Sequence, residues 1–232
     1  MWLKLLISFL IANNMYINLL AQEIDPKSSI LLNGRLYQES RLYQENIGGH
    51  PFFIDNKFYS SNIVYKGMTF DNLLIKYDLL NQHLIYYQNI DEESPRFILL
   101  NNNYLDRFEL TVSSHKLVFT NEYSDLKGLI SDIKYYQLIY DGKYKYIKGS
   151  IKTIDELPVY NRTKEYIEKS YYYLIVNDKP YRIKRKRDFL LIFDVHKKAL
   201  RKYIKTNRLN IKVWSHADIV KLIVFCESLN EI

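Results

Sequence analysis

Short apolar runs separated by polar pairs recur through the middle of this chain at spacings of about ten residues, the rhythm of antiparallel strands and tight turns. Residues 71–88 read DNLLIKYDLLNQHLIYYQ. A helix would use Leu73, Leu74, Tyr77, Leu80 and Leu84 as its stripe. A strand pair would alternate Leu73, Ile75 and Tyr77 with Leu74 and Lys76, turn over 78–82, and return through Leu84-Ile85-Tyr86-Tyr87. The neighbours decide between the two. Upstream, NIVYKGMTF sets Lys66-Gly67 between two strand-like runs; downstream, RFILL and FELTV flank Asn101-Asn102-Asn103. The pattern therefore predicts a hairpin here.

The same reading predicts strands over 108–112, 116–120, 133–140, 144–152 and 165–176. Ser113-Ser114, Asp141-Gly142 and Asn177-Asp178-Lys179-Pro180 supply the turns. Past Lys184 the period changes. Phe189, Leu190 and Phe193, then Val195, Ala199, Leu200, Tyr203 and Ile204, fall at helical spacing. Ser215 and Asp218 have capping-box spacing ahead of a last helix with the stripe Ile219, Leu222, Ile223, Cys226 and Leu229. The hexapeptide echo RLYQES-RLYQEN over 35–46 has two copies, too few for a repeat architecture.

The first 21 residues change the picture most. Lys4 precedes an apolar run over 5–12, and Leu20-Ala21-Gln22 offers a small residue before a polar stretch. This reads as a secretory signal peptide cut after Ala21. The run is interrupted by Asn13-Asn14, which suits a leader better than a membrane span. No cysteine follows it, which argues against a lipid anchor. Cys226 is the single cysteine, so the chain has no internal disulfide. An exported protein of this kind fits a bacterial periplasm or cell surface. In its apolar helical stripe, Cys226 reads as core.

Charge divides sharply along the 232 residues. Over 22–178 there are 18 basic and 21 acidic residues; over 179–232 there are 14 and 5. The net +7 thus belongs to the C-terminal part. Lys184, Arg185, Lys186 and Arg187 precede the first helix, and Lys197, Lys198, Arg201, Lys202 and Lys205 occupy one face of the second. Such a surface suits an anionic membrane, lipopolysaccharide or an acidic protein. Nucleic acid is the other usual partner of clustered Lys and Arg, but export argues against it.

Chemistry-bearing motifs are sparse. His50, His83, His115, His196 and His216 have no metal-binding spacing, and Asp91-Glu92-Glu93 lacks the alternation of a calcium loop. No nucleophile elbow, P-loop or dinucleotide fingerprint occurs. No cofactor, metal or catalytic residue is therefore assigned. A hydrolytic site assembled from distant positions would have to gather at least two of His50, His83, His115, Asp78 and the 91–93 loop. The tyrosine pairs at 86–87 and 135–136 and the run Tyr171-Tyr172-Tyr173 suit half-buried strands.

The order GGHPFF…YKGMTFDNLLIKYDLLNQHLI…FILLNNNYLDRFEL resembles exported proteins of Gram-negative bacteria that have no assigned activity. The resemblance covers most of 30–230 on diffuse motifs. It implies export and a sheet-rich fold, and no chemistry.

The expected fold is α+β, mainly β. A signal peptide spans 1–21, an antiparallel meander sheet lies within 22–184, and a basic helical cap over 185–232 packs on the sheet. Whether the sheet curls into a partial barrel is left open by the pattern. The expected function is a non-enzymatic envelope protein, binding or structural, with its basic helix toward an anionic surface or partner. An envelope hydrolase acting on glycan or peptide, and a secreted nucleic-acid binder, are the alternatives.

Overall fold

The computed structural model describes residues 31, 34–37, 47–89, 95–156, 164–212 and 215–229. The leader, most of the hexapeptide echo and the 91–93 loop lie outside them.

Among the described residues, twelve strands form one mostly antiparallel, open sheet. In chain order they are β1 (Arg35–Leu36), β2 (Ile47–Gly48), β3 (Tyr59–Tyr65), β4 (Met68–Asp78), β5 (His83–Asn89), β6 (Pro95–Leu99), β7 (Leu105–Val112), β8 (His115–Thr120), β9 (Tyr136–Asp141), β10 (Lys145–Glu156), β11 (Lys164–Val176) and β12 (Lys179–Ile183). The described C-terminal helices are α1 (Lys186–Ile192), α2 (Lys197–Thr206) and α3 (His216–Leu229).

Turn chemistry sets the hairpins. Lys66-Gly67, Ser113-Ser114 and Asn177-Asp178 are two-residue connections with positive φ at both positions. That is the primed-turn geometry whose twist matches the flanking strands. Pro180 sits on β12, an outer strand of the sheet, where a missing N–H breaks no ladder. The 71–88 stretch is the β4–β5 hairpin, with Asp78 opposite His83.

Sheet order departs from a simple meander at β1, which pairs with β6, at β2, which pairs in parallel with β11, and at β7. β3 to β6 run as neighbours, but β7 pairs with β3 and not with β6. Asn101 turns the chain by accepting from the Asn103 N–H, and the Lys66 N–H donates to the Tyr104 carbonyl. β7 is thereby delivered to the open edge of β3. β7 to β12 then form a second meander. The sheet also curls. Four strands separate β4 from β10 in the order, yet the Lys152 N–H donates to the Leu79 carbonyl at 3.1 Å.

The described residues form three apolar clusters. Phe108 and Phe119 stack at 4.7 Å in the N-terminal half, with Tyr77 and Tyr135 set edge-on to Phe108. On β10 and β11 the two faces are covered differently, as strict alternation requires. Tyr146 and Leu174 face the helices, whereas Ile147 and Tyr173 face the 123–133 segment. Gly149 in β10 lets the Tyr136 ring lie against its backbone; a Cβ there would come within 2.6 Å of that ring.

Two local expectations need correction. Val195 is not part of the buried helical stripe: a 3-10 turn over Asp194–His196 separates α1 from α2 and leaves it 93% exposed. Ser215 and Asp218 do not form the reciprocal capping box. The Ser215 hydroxyl donates to the Asp218 carboxylate, which also accepts the Asn210 N–H, so Asp218 ties the preceding loop to α3. Cys226 is buried core, as its stripe implied.

Candidate functional site

The basic segment folds into a groove between α1 and α2. Its volume is about 480 Å³; Arg185, Lys186, Arg187, Lys197 and Arg201 supply five cations, and Leu190 and Leu191 supply the apolar part. The reason is local. Phe189, Leu190 and Phe193 turn inward to pack with Leu200 and Ile204 of α2, with Ile192 against the same cluster, which leaves Leu191 and the basic residues 185–187 exposed. Lys197 and Arg201 are one turn apart on α2 and share that outward stripe. Leu191 is 58% exposed, so the groove has an apolar lip.

The two nearest acidic groups leave most of this charge uncompensated. The Asp188 carboxylate accepts the Lys184 and Arg185 backbone N–H groups at 2.7 and 3.0 Å, satisfying the start of α1. Asp194 reaches Lys197 only at 3.9 Å, an exposed contact of little energetic weight. Of the nine basic residues singled out from the sequence, five line the groove. Lys184, Lys198, Lys202 and Lys205 are exposed but do not line it.

Of the described candidate acid–base residues, Asp78 and His83 meet as cross-strand partners. His83 alone of the two lines a cavity of about 390 Å³, and His50, His115 and His216 do not line it. The His50 ring stacks on Phe52 and its pKa is lowered, first by burial and then by Lys152. His115 is exposed and holds the Ser113 carbonyl through Nδ1. His216 packs on Tyr146 and Tyr172 under the cap. Asp78 spends its carboxylate on the Leu80 and Asn81 N–H groups of its own turn. Among the described residues there is no group of three or more His, Cys, Asp or Glu able to hold a metal ion.

The tyrosines serve mainly as packing. Tyr135, Tyr136 and Tyr173 are buried, Tyr172 stacks on Tyr146, and half-buried Tyr171 carries the Arg182 guanidinium over its ring at 4.8 Å.

A second cavity, of about 390 Å³, was not anticipated from the sequence. Arg35 from β1, His83 from β5, Asn101 to Asn103 and Lys134 line it. These residues are scattered over a hundred positions, and no motif links them. The one available signal was the Asn101-Asn102-Asn103 run, read only as a turn.

No protein-family model, curated protein or solved structure matches this chain.

Proposed function

We propose that this chain is an exported, non-enzymatic binding protein of the bacterial cell envelope, and that its helical cap docks on an anionic lipid surface. The observation that carries the reading is the α1–α2 groove: five cations around two leucines, of which Leu191 faces solvent. Juxtaposed positive charge and an exposed apolar side chain match a headgroup layer over hydrocarbon better than a purely charged partner. Each basic residue near an anionic membrane contributes roughly 1 kcal/mol, so five would hold the protein reversibly and salt would release it. The leader-like pattern over 1–21 and the lone Cys226 support an envelope location.

The test is co-sedimentation with vesicles of phosphatidylglycerol or lipopolysaccharide, against phosphatidylcholine. Binding restricted to the anionic vesicles, weakened by salt and lost in Arg187→Glu/Arg201→Glu, is expected. Equal binding to all vesicles, or none, rejects the reading. Retention of DNA or RNA without vesicle binding would move the groove to the nucleic-acid alternative. Export is checked separately, by looking for a mature N-terminus at Gln22 in the periplasmic fraction.

A further inference from the structure

The cavity beside His83 has the construction of a built site. Its walls come from β1, from the start of β5, from the loop before β7 and from the segment entering β9. One buried residue ties three of them together from behind. The Gln82 side chain donates to the Leu79 and Ser150 carbonyls at 2.9 and 3.0 Å, and its Oε1 accepts the Tyr77 hydroxyl and the Lys134 N–H. Its own carbonyl accepts the Asn102 side-chain amide at 2.9 Å. Gln82 therefore fixes the backbone of Lys134 and the side chain of Asn102, and by sequence it positions His83. Gln82 sits at positive φ, a conformation the hairpin turn imposes and this network holds.

The lining is rich in donors. Arg35 and Lys134 both border the cavity, neither pairs with a described carboxylate, and no described Asp or Glu lines it. The Asn102 amide also lies 2.9 Å from His83 Nδ1. The Gln82 carbonyl requires a donor, which sets the orientation of that amide and makes His83 Nδ1 an acceptor. The neutral His83 ring then carries its proton on Nε2. Burial is the first cause keeping that ring neutral, and Lys134 the second.

Two polar atoms nearby have no described partner. Asn102 Oδ1 is buried and unsatisfied, and so is the hydroxyl of Tyr135, a residue only 1% exposed. Tyr135 borders a smaller cavity of about 130 Å³ that shares Asn102, Asn103 and Lys134 with the larger one. Orphaned buried polar atoms in a folded protein call for a partner. Asn102 Oδ1 accepts, so the partner must donate, which an ionised carboxylate cannot do and a sugar hydroxyl can.

We propose that this cavity binds a small hydroxylated anion, a sugar acid or sugar phosphate, with Arg35 and Lys134 on the acidic group and the Asn102 side chain on a hydroxyl. A volume of about 390 Å³ falls in the range of small-molecule sites. Six of the nine lining residues are polar or charged and Leu99 and Leu100 add an apolar wall, a mixture that suits a sugar ring bearing an acidic group. The proposal is independent of the α1–α2 groove.

The experiment is calorimetric titration of the purified full chain with glucuronate, glucose 6-phosphate, glucose, acetate and inorganic phosphate. Binding of glucuronate or glucose 6-phosphate is expected, at least tenfold tighter than glucose, acetate or phosphate. Arg35→Ala and Lys134→Ala should each weaken it about tenfold without changing the Tm of the free protein, whereas Arg201→Glu should leave it unchanged. Phosphate binding as tightly as the sugar phosphate would overturn the hydroxyl contact. Affinity unaffected by Lys134→Ala would overturn the location. No heat from any of the five would overturn the site.

Discussion

The side-chain amide of Gln82 donates to the Ser150 carbonyl at 3.0 Å, joining the β4–β5 turn to β10 across 68 positions of sequence. This contact and the neighbouring Lys152–Leu79 backbone bond hold the curl of the sheet. Gln82 is buried and uses both ends of its amide, so an apolar replacement strands several partners at once. Gln82→Leu leaves the Tyr77 hydroxyl, the Lys134 N–H and the Ser150 carbonyl without their partner. The expected cost is about 3 kcal/mol, since each buried unsatisfied group costs about 1–3 kcal/mol. Urea unfolding measures it; a loss under about 1 kcal/mol would show that water replaces the amide.

The cap is clamped to the sheet by one carboxylate. Glu227 on α3 accepts the Tyr140 hydroxyl and the Tyr144 N–H, each at 2.7 Å. The bond to Glu227 is the main cause that pushes the Tyr140 phenol up to about 12, with burial second. Glu227→Ala is expected to destabilise the protein by about 2 kcal/mol and to return Tyr140 toward the ordinary 10. An ultraviolet titration of the variant with one fewer high-pKa tyrosine supports the clamp; an unchanged titration refutes it.

Stability should fall on mild acidification. His50, His83 and His216 all lie below the ordinary 6.5, each first through burial and next through Lys152, Lys134 and Lys148 respectively. Below about 6.5 the unfolded chain takes up protons that the folded rings refuse. The contribution is whole above that pH and is lost as pH falls toward the depressed folded values. Asp155, bonded by Thr153, and Asp218, bonded by the Asn210 N–H, lie below 3.8, so a further loss follows in stronger acid. A Tm that stays flat from about pH 7.5 to about pH 5.5 at constant ionic strength would contradict the histidine contribution.

Cys226 should be inert in the native state. Burial, with Glu227 as a second cause, pushes its thiol up to about 12, so almost no thiolate exists near neutrality. A thiol reagent at about pH 8 should label it only after denaturant is added. Rapid labelling of the native protein would mean that α3 opens locally.

The hairpins were readable because a two-residue turn and the period-two alternation beside it are local constraints. Lys66-Gly67, Ser113-Ser114 and Asn177-Asp178 need no distant partner to set their backbone. The helices were readable for the same reason, through the stripe that ends at Cys226 and the charges that could only face outward. Their exception, Val195, marks where a 3-10 turn interrupts the period, and nothing in neighbouring residue types announces it.

Local pattern thus specified most of the strands and turns, the cap and its charge, since each depends on residues a few positions apart. It did not specify the short β1, β2 and β12. Pairing of β7 with β3, the curl through Gln82 and Ser150, the groove between α1 and α2, and the meeting of Arg35, His83, Asn102 and Lys134 belong to the folded chain. They depend on contacts between positions far apart, where any polar residue can find several partners. Which one it finds is set by how the sheet closes over its core, a cooperative property that no short window of residues carries.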